Sequence, residues 1–251
     1  MCGAVVVKGV RERNMDIDRA VVLKGRLKNF KKNRVSVDFL LSDMDRSAAE
    51  LTAVASALAG SGGAIGLASL AGTKEEADKV QFELGGKFFT GWLMWSPFQD
   101  DEEVEVVAEP LKDGTYRAFA ILRPSDHTIA LYPHCSRGKS AHFKNSFKWF
   151  MRGFLIVFLI YFFVMLATFW GEGIWREFFI ALIGGGLGEF FVYGVIAYSM
   201  ARRFLPFADM AEQIFHVLGW RDAAKIDLPA RSKMARKKEG KPGLGVLYFR
   251  Y

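Results

Sequence analysis

Residues 153–170, GFLIVFLIYFFVMLATFW, and 178–201, FFIALIGGGLGEFFVYGVIAYSMA, decide the fold of this chain, because each is apolar over a length that crosses a bilayer. As helices they reach about 27 Å and about 36 Å, against a hydrocarbon core of about 30 Å. The first spans upright and the second spans with tilt. Amides in lipid find no water, so each stretch is predicted to be helical throughout. The pattern predicts a transmembrane hairpin within 141–203, closed by the short link 171–177.

The flanks orient it. His142, Lys144, Lys148 and Arg152 precede the first span and Arg202 and Arg203 follow the second, while the link carries only Glu172, Arg176 and Glu177. Under the positive-inside rule the chain is predicted to be a multi-pass protein of the inner (cytoplasmic) membrane with both termini cytoplasmic. Lys144, Lys148, Arg152, Arg202 and Arg203 are then the basic residues that face lipid headgroups. Trp149, Trp170, Trp175 and Tyr198 fall near the span ends, where an amphipathic ring keeps its polar atom wet.

Glu189 is the ionisable residue within the second span. A carboxylate at mid-membrane costs about 2.5 to 3.5 kcal/mol, so Glu189 is expected to face a partner or a wet cavity. Gly184 and Gly188 form a Gly-x-x-x-Gly pair, a small surface on which two helices touch. Two readings stay open: a packed hairpin or homo-oligomer in which Glu189 is neutralised or hydrogen-bonded, and an acidic position lining a pore or ion path built from several copies.

The chain has 251 residues and a net charge of +7. The excess lies around and after the spans, so the expected partner is the lipid bilayer and not nucleic acid. Cys2 and Cys135 show no framework or metal spacing, and neither a disulfide, a metal nor a cofactor is expected. The run 4–7 is too short for a secretory signal, which leaves targeting to the internal spans.

Residues 1–140 read as a cytoplasmic β domain. Runs rich in Val, Leu and Phe at 4–7, 21–27, 35–41, 80–84, 87–95, 103–109, 116–123 and 128–132 are separated by turn residues. In Glu103-Val104-Glu105-Val106-Val107 the alternation has period two, so one face is wet and the other buried. Short antiparallel strands escape exposed edges by closing, and the expected topology is a small barrel of oligonucleotide/oligosaccharide-binding or SH3-like type. An Ala/Gly-rich helical insertion, 43–79, interrupts them. Ser47-Ala48-Ala49-Glu50 has capping-box spacing and launches a helix over 51–59. The uncharged run 51–73 reads as a helical turn and loop, or as a hairpin that inserts on meeting a second membrane.

The tail 204–251 is basic. Phe207, Met210, Ala211, Ile214, Phe215 and Leu218 recur at helical spacing and predict an amphipathic helix over 207–218 that packs on the β domain or lies at the interface. The basic run 231–241 reads as solvated, and 244–251 as a last strand.

Pro133-His134-Cys135-Ser136-Arg137-Gly138-Lys139-Ser140 looks like chemistry and fails twice. A phosphate-cradling loop needs glycine where Pro133 stands, and a phosphatase-type cysteine needs arginine where Ala141 stands. The segment reads as a basic linker, with a thiolate at Cys135 activated by Arg137 and Lys139 as the sharper alternative.

Trp95-Ser96-Pro97-Phe98, the acidic run 102–109, Leu122-Arg123-Pro124 and Ile129 through Gly138, in this order, resemble a family of proteobacterial membrane proteins described as candidate type VI secretion system effectors. The likeness spans most of the chain, including the insertion, the spans and Gly219-Trp220, and supplies no active site. It implies a non-enzymatic protein of bacterial competition acting at the membrane, with secretion-system components or a cognate toxin or immunity protein as partners. The alternative is a membrane-tethered binding module, or an immunity or accessory protein, whose β domain recognises a partner. The overall expectation is an α+β membrane protein: β-barrel, transmembrane hairpin, amphipathic helix.

Overall fold

Val21–Val37 forms one strand, β1, where the sequence predicts two, and it organises the β domain. The computed structural model describes residues 15–37, 39, 75–170, 175–239 and 248–251. The predicted strand 4–7, the helix 51–59 and the run 51–73 lie outside the described residues. The chain divides into two units, 1–138 with 206–251, and 139–205.

In the first unit β1 is followed by β2 (Glu75–Leu84), β3 (Lys87–Leu93), β4 (Glu103–Pro110), β5 (Tyr116–Arg123), β6 (Thr128–Leu131) and β7 (Phe249–Arg250). Residues 27–37 of β1 pair with β2 and residues 21–26 pair with β4, so one long bent strand serves two neighbours. Lys28, Asn29, Lys31, Lys32 and Asn33 disguise its middle as a turn. The register shifts there between Lys28 and Lys31, and Asn29 adopts a φ of 53°, a left-handed conformation that asparagine tolerates. β2 begins at Glu75, so the insertion ends before Lys79.

Five strands close into a barrel in the order β1-β2-β3-β5-β4 and back to β1. The closing pair β3–β5 is parallel, with Gly91 opposite Ala118. A Cβ on Gly91 would stand 2.4 Å from the Ala118 carbonyl oxygen, so glycine at this position is what lets the barrel shut. The interior holds Phe82, Phe89, Leu93, Phe98, Val104, Val106 and Ile121, all buried. Phe82 and Phe89 stack at 5.0 Å between ring centroids. The predicted alternation on β4 holds from Glu103 to Val106, with Val104 and Val106 buried and Glu103 exposed, and ends at Val107, which is buried although it shares the face of Glu103. Phe119 is skipped in the β4–β5 register and instead meets Tyr132, which also packs on Phe39.

The tail belongs to this unit. Helix α3 (Leu205–Val217) buries Phe207, Met210, Ala211, Ile214 and Phe215, the face read from the sequence. It ends in a Schellman motif: Gly219, at a φ of 72°, donates to the His216 carbonyl, and Trp220 donates to the Phe215 carbonyl. Trp220 also stacks on Phe215 at 5.4 Å. Helix α4 (Leu228–Lys238) starts at Asp227, whose side chain accepts from the Ala230 amide at 3.0 Å. The basic run is therefore not simply solvated, because Arg236 is buried and donates to the Tyr248 carbonyl at 3.1 Å. β7 adds to β6, as the sequence predicts for the last residues.

The second unit consists of α1 (Lys139–Phe169) and α2 (Trp175–Arg203). His142 meets Ala201, Phe150 meets Phe190, and Phe169 meets Phe178, which makes the pair an antiparallel hairpin. Both helices are long and apolar enough to span a membrane.

Candidate functional site: the apolar helix hairpin

A soluble protein buries its most apolar helices, and these are not buried. Of the most apolar windows of α1 and α2, 0% and 6% are buried inside the molecule. Phe163, Leu187 and Phe191 are exposed to 62%, 66% and 72%. Helices that are apolar all round and turned outward have found no protein core to enter, which is the pattern a lipid solvent produces.

Between the two helices the fit is one of rings into glycines. Phe150, Phe154 and Phe158 recur at four-residue spacing on α1 and stack in sequence, with centroid separations of 6.3 and 5.6 Å. On α2, Phe190 meets Phe150 and Phe154, each at 5.2 Å, while Gly186 faces Phe158 and Gly185 faces Tyr161. A Cβ on Gly185 would lie 2.2 Å from the Tyr161 hydroxyl, and one on Gly186 would lie 2.7 Å from the Phe158 ring. Close approach therefore uses Gly185 and Gly186, whereas at Gly184 and Gly188, the pair singled out in the sequence, an added Cβ meets nothing within 4 Å. The Gly-x-x-x-Gly pair lies on the outer surface of the hairpin.

Glu189 is half-buried, and one of its carboxylate oxygens is fully covered with no hydrogen-bond partner among the described residues. It stands four residues after Gly185, on the stripe of α2 that meets α1. Lys144, Lys148 and Arg152 are all exposed, and four-residue spacing places them along one stripe of α1. Arg202 and Arg203 are exposed at the end of α2. Arg152 lies over Trp149 at 5.2 Å and Arg202 over Tyr198 at 5.8 Å from the ring centroids, pairing a cation with an aromatic ring on each helix.

The segment 133–138 is not a loose linker. Cys135 is buried, Arg137 pairs with Asp227 at 3.1 Å, and the Gly138 amide donates to the Ile226 carbonyl at 3.0 Å. His134 lies 2.6 Å from Glu75 through Nε2. These bonds hold the end of the barrel to the tail. Burial pushes the Cys135 thiol above its ordinary value, the opposite of what an activated thiolate requires.

On the barrel a charge cluster joins Arg123, Asp126, Glu102 and Thr128. The Arg123 guanidinium beside Asp126, with the Thr128 hydroxyl, holds that carboxyl down at about 2. Arg123 itself is pushed up by its bond to Asp126 and by Glu102. The cluster caps the β5–β6 turn, where His127 adopts a φ of 54°, and its role is structural. No three His, Cys, Asp or Glu side chains among the described residues are grouped to hold a metal ion.

Sequence reading missed Tyr161, Phe158 and Gly185 as the contact residues. A four-residue aromatic spacing was visible, but in a stretch with phenylalanine on every face it did not stand out. Compared with protein-family models, with curated proteins and with solved structures, the chain matches none of them.

Proposed function

We propose that this chain is an integral protein of the inner membrane that acts without catalysis in bacterial competition, as an effector working on the bilayer that its hairpin occupies. The observation that carries the membrane assignment is the outward exposure of both apolar helices. The basic and aromatic residues at their outer ends, Lys144, Lys148, Arg152, Arg202 and Arg203 with Trp149 and Tyr198, support placing both termini in the cytoplasm. The role in competition rests on the sequence resemblance, and Glu189 inside the hairpin is the residue through which such an effector would disturb ion balance once several copies assemble. The test is expression of the full chain with and without a periplasmic export signal. Growth arrest with loss of membrane potential is expected in one form. Unchanged growth and potential in both forms overturns the effector reading.

The barrel favours a second reading. Its five strands, closed by one parallel pair, support the oligonucleotide/oligosaccharide-binding type over the SH3-like one, a scaffold that presents an open strand face to ligands. In this reading the hairpin is an anchor and the β domain recognises a protein or a glycan, as an immunity or accessory protein would. Co-expression with a toxin encoded beside it then restores growth, and failure to do so with every neighbouring toxin counts against an immunity role.

A further inference from the structure

The two apolar helices are tight at Gly185 and Gly186, meet again where His142 bonds the Ala201 carbonyl at 3.0 Å, and leave more room between these contacts. Around Gly185 and Gly186 there is no room for a side chain, but a Cβ on Gly194 would meet only the Phe150 ring, at 4.0 Å. This room is a groove of about 190 Å3, whose walls include Phe143, Phe147 and Phe150 of α1 and Gly194, Ala197 and Tyr198 of α2. Its walls are almost wholly apolar. Its rim is cationic: Arg202 lies over Tyr198, itself a wall of the groove, and Arg203 follows. At 31 residues, α1 is about 46 Å long and outruns a hydrocarbon core of about 30 Å, so its first turns reach headgroup level. The groove therefore opens where the acyl chains of a leaflet meet their phosphates.

We propose that this groove is a discrete lipid site, taking one acyl chain of an anionic glycerophospholipid whose phosphate is held by Arg202. The apolar trough and the cation at its rim are the two halves of such a molecule, and basic sites between transmembrane helices bind anionic headgroups in this way. This site rests on the hairpin being in the membrane, and it goes beyond a general attraction of Lys and Arg to the leaflet because it fixes one lipid in one place.

The test is native mass spectrometry of the full-length protein in detergent, with phosphatidylglycerol or phosphatidylcholine of identical acyl chains added at equal concentration. One phosphatidylglycerol retained per chain, in preference to phosphatidylcholine, is expected. Arg202→Gln should lower phosphatidylglycerol retention about fivefold, the weight of one basic residue near an anionic lipid. Ala197→Phe should fill the trough and lower retention of both lipids. Equal retention by wild type and Arg202→Gln overturns the site, and this arm holds even if Ala197→Phe does not fold. Loss of a dimer mass in Ala197→Phe also overturns it, assigning the groove to a second copy of the chain. Alkaline carbonate extraction separates the two levels: release of the wild type from membranes defeats the membrane assignment itself, whereas a pelleted chain with unaltered lipid retention defeats only the groove.

Discussion

The Tyr161 hydroxyl of α1 donates a 2.7 Å hydrogen bond to the Ala181 carbonyl of α2. Ala181 is the residue whose carbonyl an α-helix offers to the amide of Gly185, one turn on. Tyr161 reaches it by passing over Gly185, where any side chain would occupy its path. In the membrane reading proposed above, lipid supplies no hydrophobic force to press helices together, so this bond and the ring-into-glycine contacts would define the hairpin.

The glycines are therefore expected to behave in two classes. Gly185→Leu and Gly186→Leu force the helices apart and should destabilise the hairpin by about 1 to 3 kcal/mol, the usual cost of overpacking. Gly184→Leu and Gly188→Leu, where a Cβ meets nothing, should change it little. Resistance of the full-length protein to unfolding in mixed detergent micelles measures both, and a reversed order would contradict the contact assigned here.

Glu189 carries a covered carboxylate oxygen with no hydrogen-bond partner among the described residues. Glu189→Gln keeps the shape and removes the ionisable group. The hairpin should become as stable as the wild type or more so, by up to about 3 kcal/mol. If the effector reading holds, the same variant stays in the membrane fraction while its effect on membrane potential falls. Lower stability of Glu189→Gln would mean that the carboxylate has a partner it depends on.

The two long apolar helices were legible because an unbroken apolar run of this length is helical; α1 begins at Lys139, well before Gly153, and α2 outruns its predicted stretch at both ends. The alternation Glu103 to Val106 and the apolar face of α3 were legible because each is one periodicity with one buried side; Val107, buried on the other side, breaks the first. What sequence hid were features set by contacts across the chain. The middle of β1 reads as a turn because Lys28, Asn29 and Lys31 to Asn33 are exposed on a bent strand whose partners are far away in sequence. Gly91 reads as a weak point in a strand, although its close approach to Ala118 closes the barrel. Among four neighbouring glycines, the two that matter are chosen by the position of Tyr161 and Phe158, which the second span alone does not contain.

Cys135 should be chemically silent. It is buried and its thiol is pushed up, so almost none is thiolate at neutral pH. In a Cys2→Ser background, maleimide should fail to label the folded protein and should label it fully after denaturation. Rapid labelling of the folded chain would restore the activated-thiolate alternative.

Asp126 gives the barrel a defined acid response. Arg123 and Thr128 hold its carboxyl at about 2, below the ordinary value of 3.8. A carboxylate lowered on folding stabilises above its unfolded pKa, and that contribution is lost as pH falls from about 4 toward 2. The side chain is 37% exposed, so after solvent screening the loss is about 1 kcal/mol. Denaturant midpoints of the full-length protein in detergent should fall over this window, and Asp126→Asn should start lower and respond less. An unchanged acid response in Asp126→Asn would remove the cluster from the account.

The assignment of the apolar hairpin to lipid is tested most directly by fractionating cells that express the full chain and extracting the membranes with alkaline carbonate. The protein is expected to remain in the bilayer pellet and to leave it only with detergent. Recovery as a monodisperse species in detergent-free buffer would contradict the membrane hairpin, and with it the function and the lipid site built on it.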